Sequence, residues 1–463
     1  MAEGRQPNRK LAALIAEAGL SHANVASAFV LVALENGAHD YSAISRSHVT
    51  HWVGGTQPSG AAPVFLCEAL SRRLGRTVTP EDIGLRTPGG SSGIEVDWDS
   101  DTLSALTDFA NHEVDVDRRQ ALGGAAYSVA ALALPSSSWW TRMAQRGSAR
   151  SGVGTFSVGE GDVETVRELV SAFSRADQRR GGGHARSTVV HYLTSDVARL
   201  LHGSYARGPV RRAMFSAAGE LAYLAGWMAF DNGQHADAQA GFRIALKLAA
   251  EADDPPLAGH ILRAMAHQAV DLGHASRGLE HAAASMDGTR YTLATPRERA
   301  LLGVVHARAL AASGDKRAAA TALLKAERDL ANASAGDEEP GRVFFFGEAS
   351  LAHETACTLR DTGDLAGAQR EFRRSVRTRK AATFTRTHAV TLGYLGAVQA
   401  RQGSIEEACA TWSRALDAMD GIHSARTRAV VANMRSAVSP LRQRGISAVA
   451  ELDARAKSYL AAK

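Results

Sequence analysis

A chain of 463 residues is too long for one ordinary core, so two or more domains are expected. With 45% hydrophobic and 22% charged residues it has the balance of a folded protein, which excludes wholesale disorder. A net charge of +5 permits a nucleic-acid partner without demanding one. Three widely spaced cysteines, Cys67, Cys357 and Cys409, exclude a disulfide framework and a CxxC zinc finger. Aromatic residues are only 6% and alanine recurs throughout, which suits close helix-on-helix packing and predicts an all-α protein. There is no run of about 18 apolar residues, so no membrane span is expected. The cysteine usage and the absence of a secretory apolar core at the start point to the cytoplasm.

In chain order, residues 9–18 carry Leu11, Leu14, Ile15 and Ala18 on one helical face. Gly19 ends that helix and Ser21 caps the next, which runs toward Glu35 and stops at Asn36-Gly37. Residues 45–53 form a third, short helix with Val49, Trp52 and Val53 inward. Pro63 opens a fourth, with Leu66, Leu70 and Leu74 on one stripe. These four make a head at 1–88, and the Gly, Ser and acid-rich stretch ending at 101 reads as a linker over 89–101. A helical region at 102–205 follows, repeats at 206–422, and capping helices at 423–463. Arg118-Arg119 before the apolar run 121–134 imitates a twin-arginine leader, but it lies far from the N-terminus and reads as a buried helix.

The second half repeats itself. Glycines recur at 233, 273, 314, 363 and 403, separated by 40, 41, 49 and 40 residues. Seven residues before each stands a small residue (Gly226, Ala266, Ala307, Ala356, Gly396). Nine after stands a bulky one in Phe242, Leu323, Phe372 and Trp412, with Ala282 the exception. Paired antiparallel helices need small residues at closest approach, a glycine in the tight turn, and a large residue to fill the gap to the next pair. The pattern resembles the tetratricopeptide repeat lengthened to about 40 residues. The longer step carries an insertion near 333–341, expected as a surface loop.

The head, with RSHVTHWVGGTQP after its second helix, resembles the phage-repressor (Cro-like) helix-turn-helix family over about residues 9–85. The resemblance implies that the third helix enters the major groove of double-stranded DNA. By position it makes Arg46, Ser47 and His51 the base-contact candidates, with His48 and Thr50 at the margin. Arg9, Lys10, Arg72, Arg73 and Arg76 become phosphate candidates. The whole chain, through DRRQALGGAAYSVAALALP, GGGHARSTVVHYLTSDVARLL and LAYLAGWMAFDNGQHADAQAGF, resembles a group of actinobacterial regulators with the same order of head and repeats, associated with antibiotic production and development. The tetratricopeptide register implies an inner groove lined by Tyr223, Trp227, Arg263, His267, Arg308, His353 and Arg360, suited to a peptide or an anionic small molecule.

Other chemistry has little support. His260, His267, His274 and His281 lie seven apart, about two helical turns, too far for one ion, and Gly273 interrupts the series. Gly181-Gly182-Gly183-His184 lacks the lysine and strand of a phosphate loop and reads as a turn. No catalytic motif, metal site or cofactor is expected. The expectation is an all-α, homodimeric, DNA-binding regulator whose solenoid senses a signal, with helices at 102–134 and 163–201 available for dimerisation or domain bridging. The rival is a scaffold that holds another protein and no DNA. It rests on the long 36–44 connection and on a nearly neutral head, eight Lys or Arg against seven Asp or Glu over 1–88.

Overall fold

The computed structural model describes residues 6–36, 38–85, 97–114, 127, 129, 132–149, 156–334, 338–444 and 446–462. Among them the chain is helical apart from one parallel pair of two-residue strands, Ser157–Val158 against Ser204–Tyr205. The head holds α1 (Arg9–Glu17), α2 (His22–Glu35), α3 (Arg46–Val53) and α4 (Ala62–Leu74). Local chemistry sets the boundaries: Asn8 Oδ1 accepts from the Leu11 amide, Ser21 Oγ from the Asn24 amide, and Gly75 ends α4 at φ +66°. The four helices close on Phe29, Tyr41, Trp52 and Phe65, whose ring centroids are 5.4 to 6.0 Å apart. The long 36–44 connection is therefore no loose loop. It carries a 3-10 turn, His39–Ala43, that sends Tyr41 into this cluster, and the Tyr41 hydroxyl accepts from the Ala61 amide at 3.1 Å.

Next come α5 (Thr102–Val114), α6 (Ser137–Ala149), α7 (Glu160–Arg180) and α8 (Arg186–Tyr192), the last running on through a π turn, Leu193–Val197, to Ala198–Leu201. Leu106, Phe109, Val166 and Leu193 share one core with Met214, Phe215 and Ile261 of the repeats. The region 102–205 thus bridges within the chain, its apolar sides turned onto the first repeats. Most of the twin-arginine imitation lies outside the described residues. Of its described positions, Tyr127, Val129 and Leu132 are buried against Ala269 and Leu272, Leu134 is half-buried and Ala133 is exposed.

Five helical hairpins follow: α9 (Gly208–Asp231) with α10 (His235–Glu251), α11 (Pro255–Asp271) with α12 (Ala275–Ser285), α13 (Pro296–Ala312) with α14 (Lys316–Ala331), α15 (Glu348–Thr362) with α16 (Leu365–Thr378), and α17 (Thr385–Arg401) with α18 (Ile405–Ala418). The five repeat glycines all sit in the turns, at φ of +77°, +86°, +88°, +96° and +85°, where a side chain would be strained. The small-to-bulky pairing is equally physical. A Cβ on Gly226 would meet the Phe242 ring at 2.9 Å, and one on Gly396 the Trp412 ring at 2.5 Å. Two further helices, α19 (Ala425–Val438) and α20 (Ser447–Ala461), cover the last hairpin through Val431, Met434, Val449 and Leu452. The last part of the linker is fastened to the first hairpin. Lys247 Nζ donates to the carbonyls of Asp97, Trp98 and Ser100 at 2.7, 3.1 and 2.7 Å, and burial pushes its pKa down to about 8.

The hairpins do not form an open arc. Arg386, on α17, donates to Asp231 Oδ1 on α9 at 2.8 Å and to Asp177 Oδ2 on α7 at 3.0 Å, with all three side chains buried. Asp231 Oδ2 also accepts from the Gly182 amide at 2.9 Å. The Gly183 amide donates to the His423 carbonyl at 3.0 Å and the His423 amide to the Arg180 carbonyl at 2.7 Å. The fifth hairpin therefore returns to the first, and the Gly181–His184 segment is the turn expected, used here as a seam. The insertion expected as a surface loop near 333–341 is followed by residues that turn back toward the ring. Ser334 and Glu338 are exposed, but Arg342, Val343 and Phe346 turn inward and are buried or nearly so, with Arg342 paired to Glu220 at 3.0 Å and Glu298 at 2.7 Å.

Removing the cation at the seam leaves two buried carboxylates facing each other. Arg386→Met should lower unfolding stability by about 3–5 kcal/mol, read from the urea midpoint of the full chain. A loss under about 1 kcal/mol would show that the seam does not hold the ring.

Candidate functional site

The head's outward surface is α3. Val49 and Trp52 are buried in the aromatic cluster, so Arg46, Ser47, His48, Thr50 and His51 face solvent. They are not equivalent. His48 Nδ1 turns back to the Ser45 amide at 3.2 Å and to Ser45 Oγ at 3.0 Å, and Ser47 Oγ meets Ser45 Oγ at 2.9 Å. The Thr50 hydroxyl donates to the Arg46 carbonyl at 3.0 Å and lies 2.9 Å from His22 Nδ1. Among the described residues Arg46 and His51 make no side-chain hydrogen bond or ion pair. Arg9 is likewise exposed, next to Asn8, whose amide donates to the Val53 carbonyl at the end of α3 at 2.8 Å.

Four of the phosphate candidates have internal partners instead. Arg72 lies between Glu35 at 2.6 Å and Glu68 at 2.8 Å and is only 15% exposed, which removes it from the phosphate-facing set. Arg73 Nε donates to the Ala18 carbonyl at 3.1 Å, Lys10 Nζ to the Glu81 carbonyl at 2.9 Å, and Arg76 pairs with Glu17 at 2.9 Å. Half of the head's basic residues therefore hold it together, and sequence counting alone does not separate these from free ones.

A buried contact joins the head to the ring. Glu68 Oε1, which already holds Arg72, lies 2.7 Å from His274 Nε2 in the turn between α11 and α12. Tyr127 covers the pair, its ring stacked on His274 at 5.7 Å and its amide donating to Asn36 Oδ1 at 3.2 Å. This is the environment of one of the four evenly spaced histidines. The other three are also buried: His260 meets Arg263 at 3.0 Å, His267 meets Arg308 at 3.0 Å, and His281 Nδ1 meets the Arg277 carbonyl at 2.9 Å. Among the described residues no group of three His, Cys, Asp or Glu could hold a metal ion.

Inside the ring is a cavity of about 370 Å³, walled by α7 and by the first helix of every hairpin. Of the seven groove candidates, Tyr223, Trp227, Arg263, His267 and His353 line it. Arg308 does not. It is committed to Asp271 at 2.5 Å, Glu354 at 3.6 Å and His267, a cluster that joins α11, α13 and α15. Arg360 is also outside, bound to Asp361 at 2.7 Å over the Tyr394 ring. Sequence reading missed Asp177, Arg342, Phe344, Phe345, Arg379, Arg386 and Arg426, which complete the wall. Most come from segments outside the repeat register, so the spacing that found the others could not reach them. His353 and Cys357 stand 3.8 Å apart, yet burial pushes His353 down to about 3 and the Cys357 thiol up to about 12, the opposite of an activated thiolate.

Residues 11–86 match the family model of the SP15 N-terminal domain, a span that is the head. No curated protein and no solved structure matches the chain. No single described helix is long and apolar enough to cross a membrane, and the three cysteines are free and buried.

If Glu68 and His274 hold the head on the ring, Glu68→Gln and His274→Gln should each destabilise by about 1–3 kcal/mol and fall short of additivity together. Strict additivity in urea unfolding would dissolve the contact as an energetic link.

Acid should loosen the fold. Burial pushes His235 and His281 down to about 4 and His353 to about 3, so these imidazoles stay neutral when folded while the unfolded chain takes up protons below about 6.5. Their stability contribution is full above that pH and is lost as pH falls toward 4, at up to about 1.4 kcal/mol per pH unit each. Asp177, pushed up to about 6 by burial, acts oppositely from about pH 4 to 6 and offsets part of this. The urea midpoint should drop from pH 7 to 5, and His281→Gln should flatten the drop. An unchanged slope in that variant would count against the assignment.

Proposed function

We propose that this chain is a DNA-binding transcriptional regulator whose ring of tetratricopeptide-like hairpins senses a ligand. The observation that carries the reading is α3. Among the described residues it presents Arg46 and His51 outward without intramolecular side-chain partners, on a helix supported from behind by Val49 and Trp52. A helix that enters a groove needs that combination of a rigid back and uncommitted donors at the front. The resemblance to the Cro-like helix-turn-helix family supports the same role, and Arg9 at the end of α3 suits a flanking phosphate. One head covers one half-site, so the regulator is proposed to act as a homodimer, about twice the 48.9 kDa chain mass by light scattering. A role in secondary metabolism or development is proposed from the actinobacterial resemblance, and a cytoplasmic location from the sparse, widely spaced cysteines.

A second reading has its own observation. Leu31 and Leu34, three apart on α2, are 56% and 40% exposed, and half of the head's cations are tied up internally. Those features suit an adaptor that docks a protein partner.

The two readings separate in one titration. Full-length protein is mixed with labelled genomic duplex fragments at low and moderate salt, and bound fragments are mapped. Arg46→Ala should cost about 1–3 kcal/mol at the preferred site and relax one base-pair preference. Arg9→Ala should weaken all sites evenly and reduce the salt slope by about one. Absence of duplex binding above background by protein of intact helicity would end the regulator reading and leave the adaptor.

A further inference from the structure

We propose that the ring cavity binds a small organic anion, a carboxylate, sulfonate or phosphate ester borne on a flat aromatic or apolar body. The proposal names the ligand class for the sensing half of the regulator reading, but it does not depend on the head binding DNA.

The argument begins with charge. Each acidic side chain of the wall already has a partner, although Asp177 Oδ1 and Glu354 Oε2 are buried without a hydrogen bond. Asp177 belongs to Arg386 at 3.0 Å, Glu220 to Arg342 at 3.0 Å and Glu354 to Arg308 at 3.6 Å. Asp254 accepts from the Ser216 hydroxyl at 2.7 Å and caps α11. Of the other four arginines that line the cavity, Arg426 pairs with Asp271 at 3.4 Å and Arg167 is exposed to water, which leaves two buried ones. Arg263 is 2% exposed and donates only to neutral groups, the Tyr223 hydroxyl at 2.5 Å and His260 Nε2 at 3.0 Å. Arg379 is 7% exposed and donates to the Ala349 carbonyl at 2.9 Å and to the hydroxyls of Ser375 and Ser350 at 3.1 and 3.4 Å. Among the described residues no carboxylate pairs with either. The Nε–H of each is buried and without a hydrogen bond. Burial lowers the Arg379 pKa to about 10, and Glu354, the carboxylate that opposes this shift, is itself engaged by Arg308.

A buried cation without a counter-charge is unfavourable, and two on one cavity wall are a standing surplus of positive charge. An anion that enters relieves both, and the fixed fork of guanidinium donors suits planar carboxylate, sulfonate or phosphate oxygens. The body of the ligand is indicated by the neighbouring rings. Arg263 lies 5.6 Å from the Tyr223 ring centroid, 5.5 Å from Trp227 and 5.8 Å from Phe345. These faces offer stacking to a flat group beside the charge. The volume, about 370 Å³, suits a metabolite.

The probe for the test is anilinonaphthalene sulfonate, an aromatic anion, compared with phenylnaphthylamine, its uncharged counterpart. Both are titrated by fluorescence into the full-length chain at neutral pH without DNA, so the result reads the cavity alone and DNA binding is judged separately. The sulfonate should bind one-to-one and more tightly than the amine. Arg263→Gln and Arg379→Gln should each weaken the sulfonate roughly tenfold or more while the amine stays within about twofold, and Arg263→Lys should restore part of the loss. Circular dichroism checks that each variant is folded. Should a variant fail to fold, competition in the wild type decides. Benzoate must displace the sulfonate at lower concentration than benzyl alcohol. Equal displacement by the two, equal binding of the charged and uncharged dyes, or parallel loss of both dyes in folded variants overturns the proposal.

Discussion

The ring exists because one guanidinium joins three helices that are far apart in sequence. Arg386 reaches Asp177 and Asp231 across separations of 209 and 155 residues, in a place where none of the three charges meets water. Breaking such a cluster is far costlier than forming it is rewarding, because any one partner lost leaves the others buried and uncompensated. It acts as a specificity device for closure more than as a source of net stability. A linear array of hairpins touches only its neighbours and can fray from either end. Here the first and last hairpins are each other's neighbours, so that route is blocked at the seam.

Closure also changes what the inner surface can be. An open arc offers a groove, whereas the returning series surrounds a cavity walled by every hairpin. Its connection to the head is short. α11 carries Arg263 and His267 on the cavity wall and Asp271 in the cluster with Arg308, then ends at the Gly273 turn, and the next residue is His274 against Glu68. One helix therefore separates the cavity wall from the head. Movement of α11 reaches the head to the extent that the Gly273 turn stays rigid, and a ligand drives such movement only through different affinity for the two positions.

What the sequence revealed and what it hid follow from the range of each interaction. The turn glycines and the pairs Gly226–Phe242 and Gly396–Trp412 were legible because a hairpin repeats its requirements at short, fixed spacing. The inward position of Tyr223, Trp227, Arg263, His267 and His353 follows from the same register. Arg308 and Arg360 satisfied that register too, but a long side chain goes where its counter-charge is: Arg308 to Asp271 on α11, and Arg360 to Asp361 beside it on α15. The seam was illegible: Asp177, Asp231 and Arg386 are each an ordinary charged residue in a helix, with no local pattern to link them. The head shows the same limit. Burial of Val49 and Trp52 could be read from periodicity, whereas the commitment of Arg72 to Glu35 and Glu68 depends on α2 and α4 meeting.

The segment after the third hairpin differs in kind from the rest of the wall. It belongs to no repeat, yet Arg342, Phe344 and Phe345 line the cavity. Each hairpin helix is constrained on two sides by its neighbours, so changing its inner residues disturbs the ring. The segment has no hairpin partner, and its first part is exposed at Ser334 and Glu338, where a change of length is tolerated. A lineage could therefore alter what the cavity accepts by rewriting this one insertion, leaving the five hairpins, the seam and the head contact untouched. Divergence among descendants of such a chain would then concentrate between the third and fourth hairpins, as it does at the variable loops of a constant scaffold.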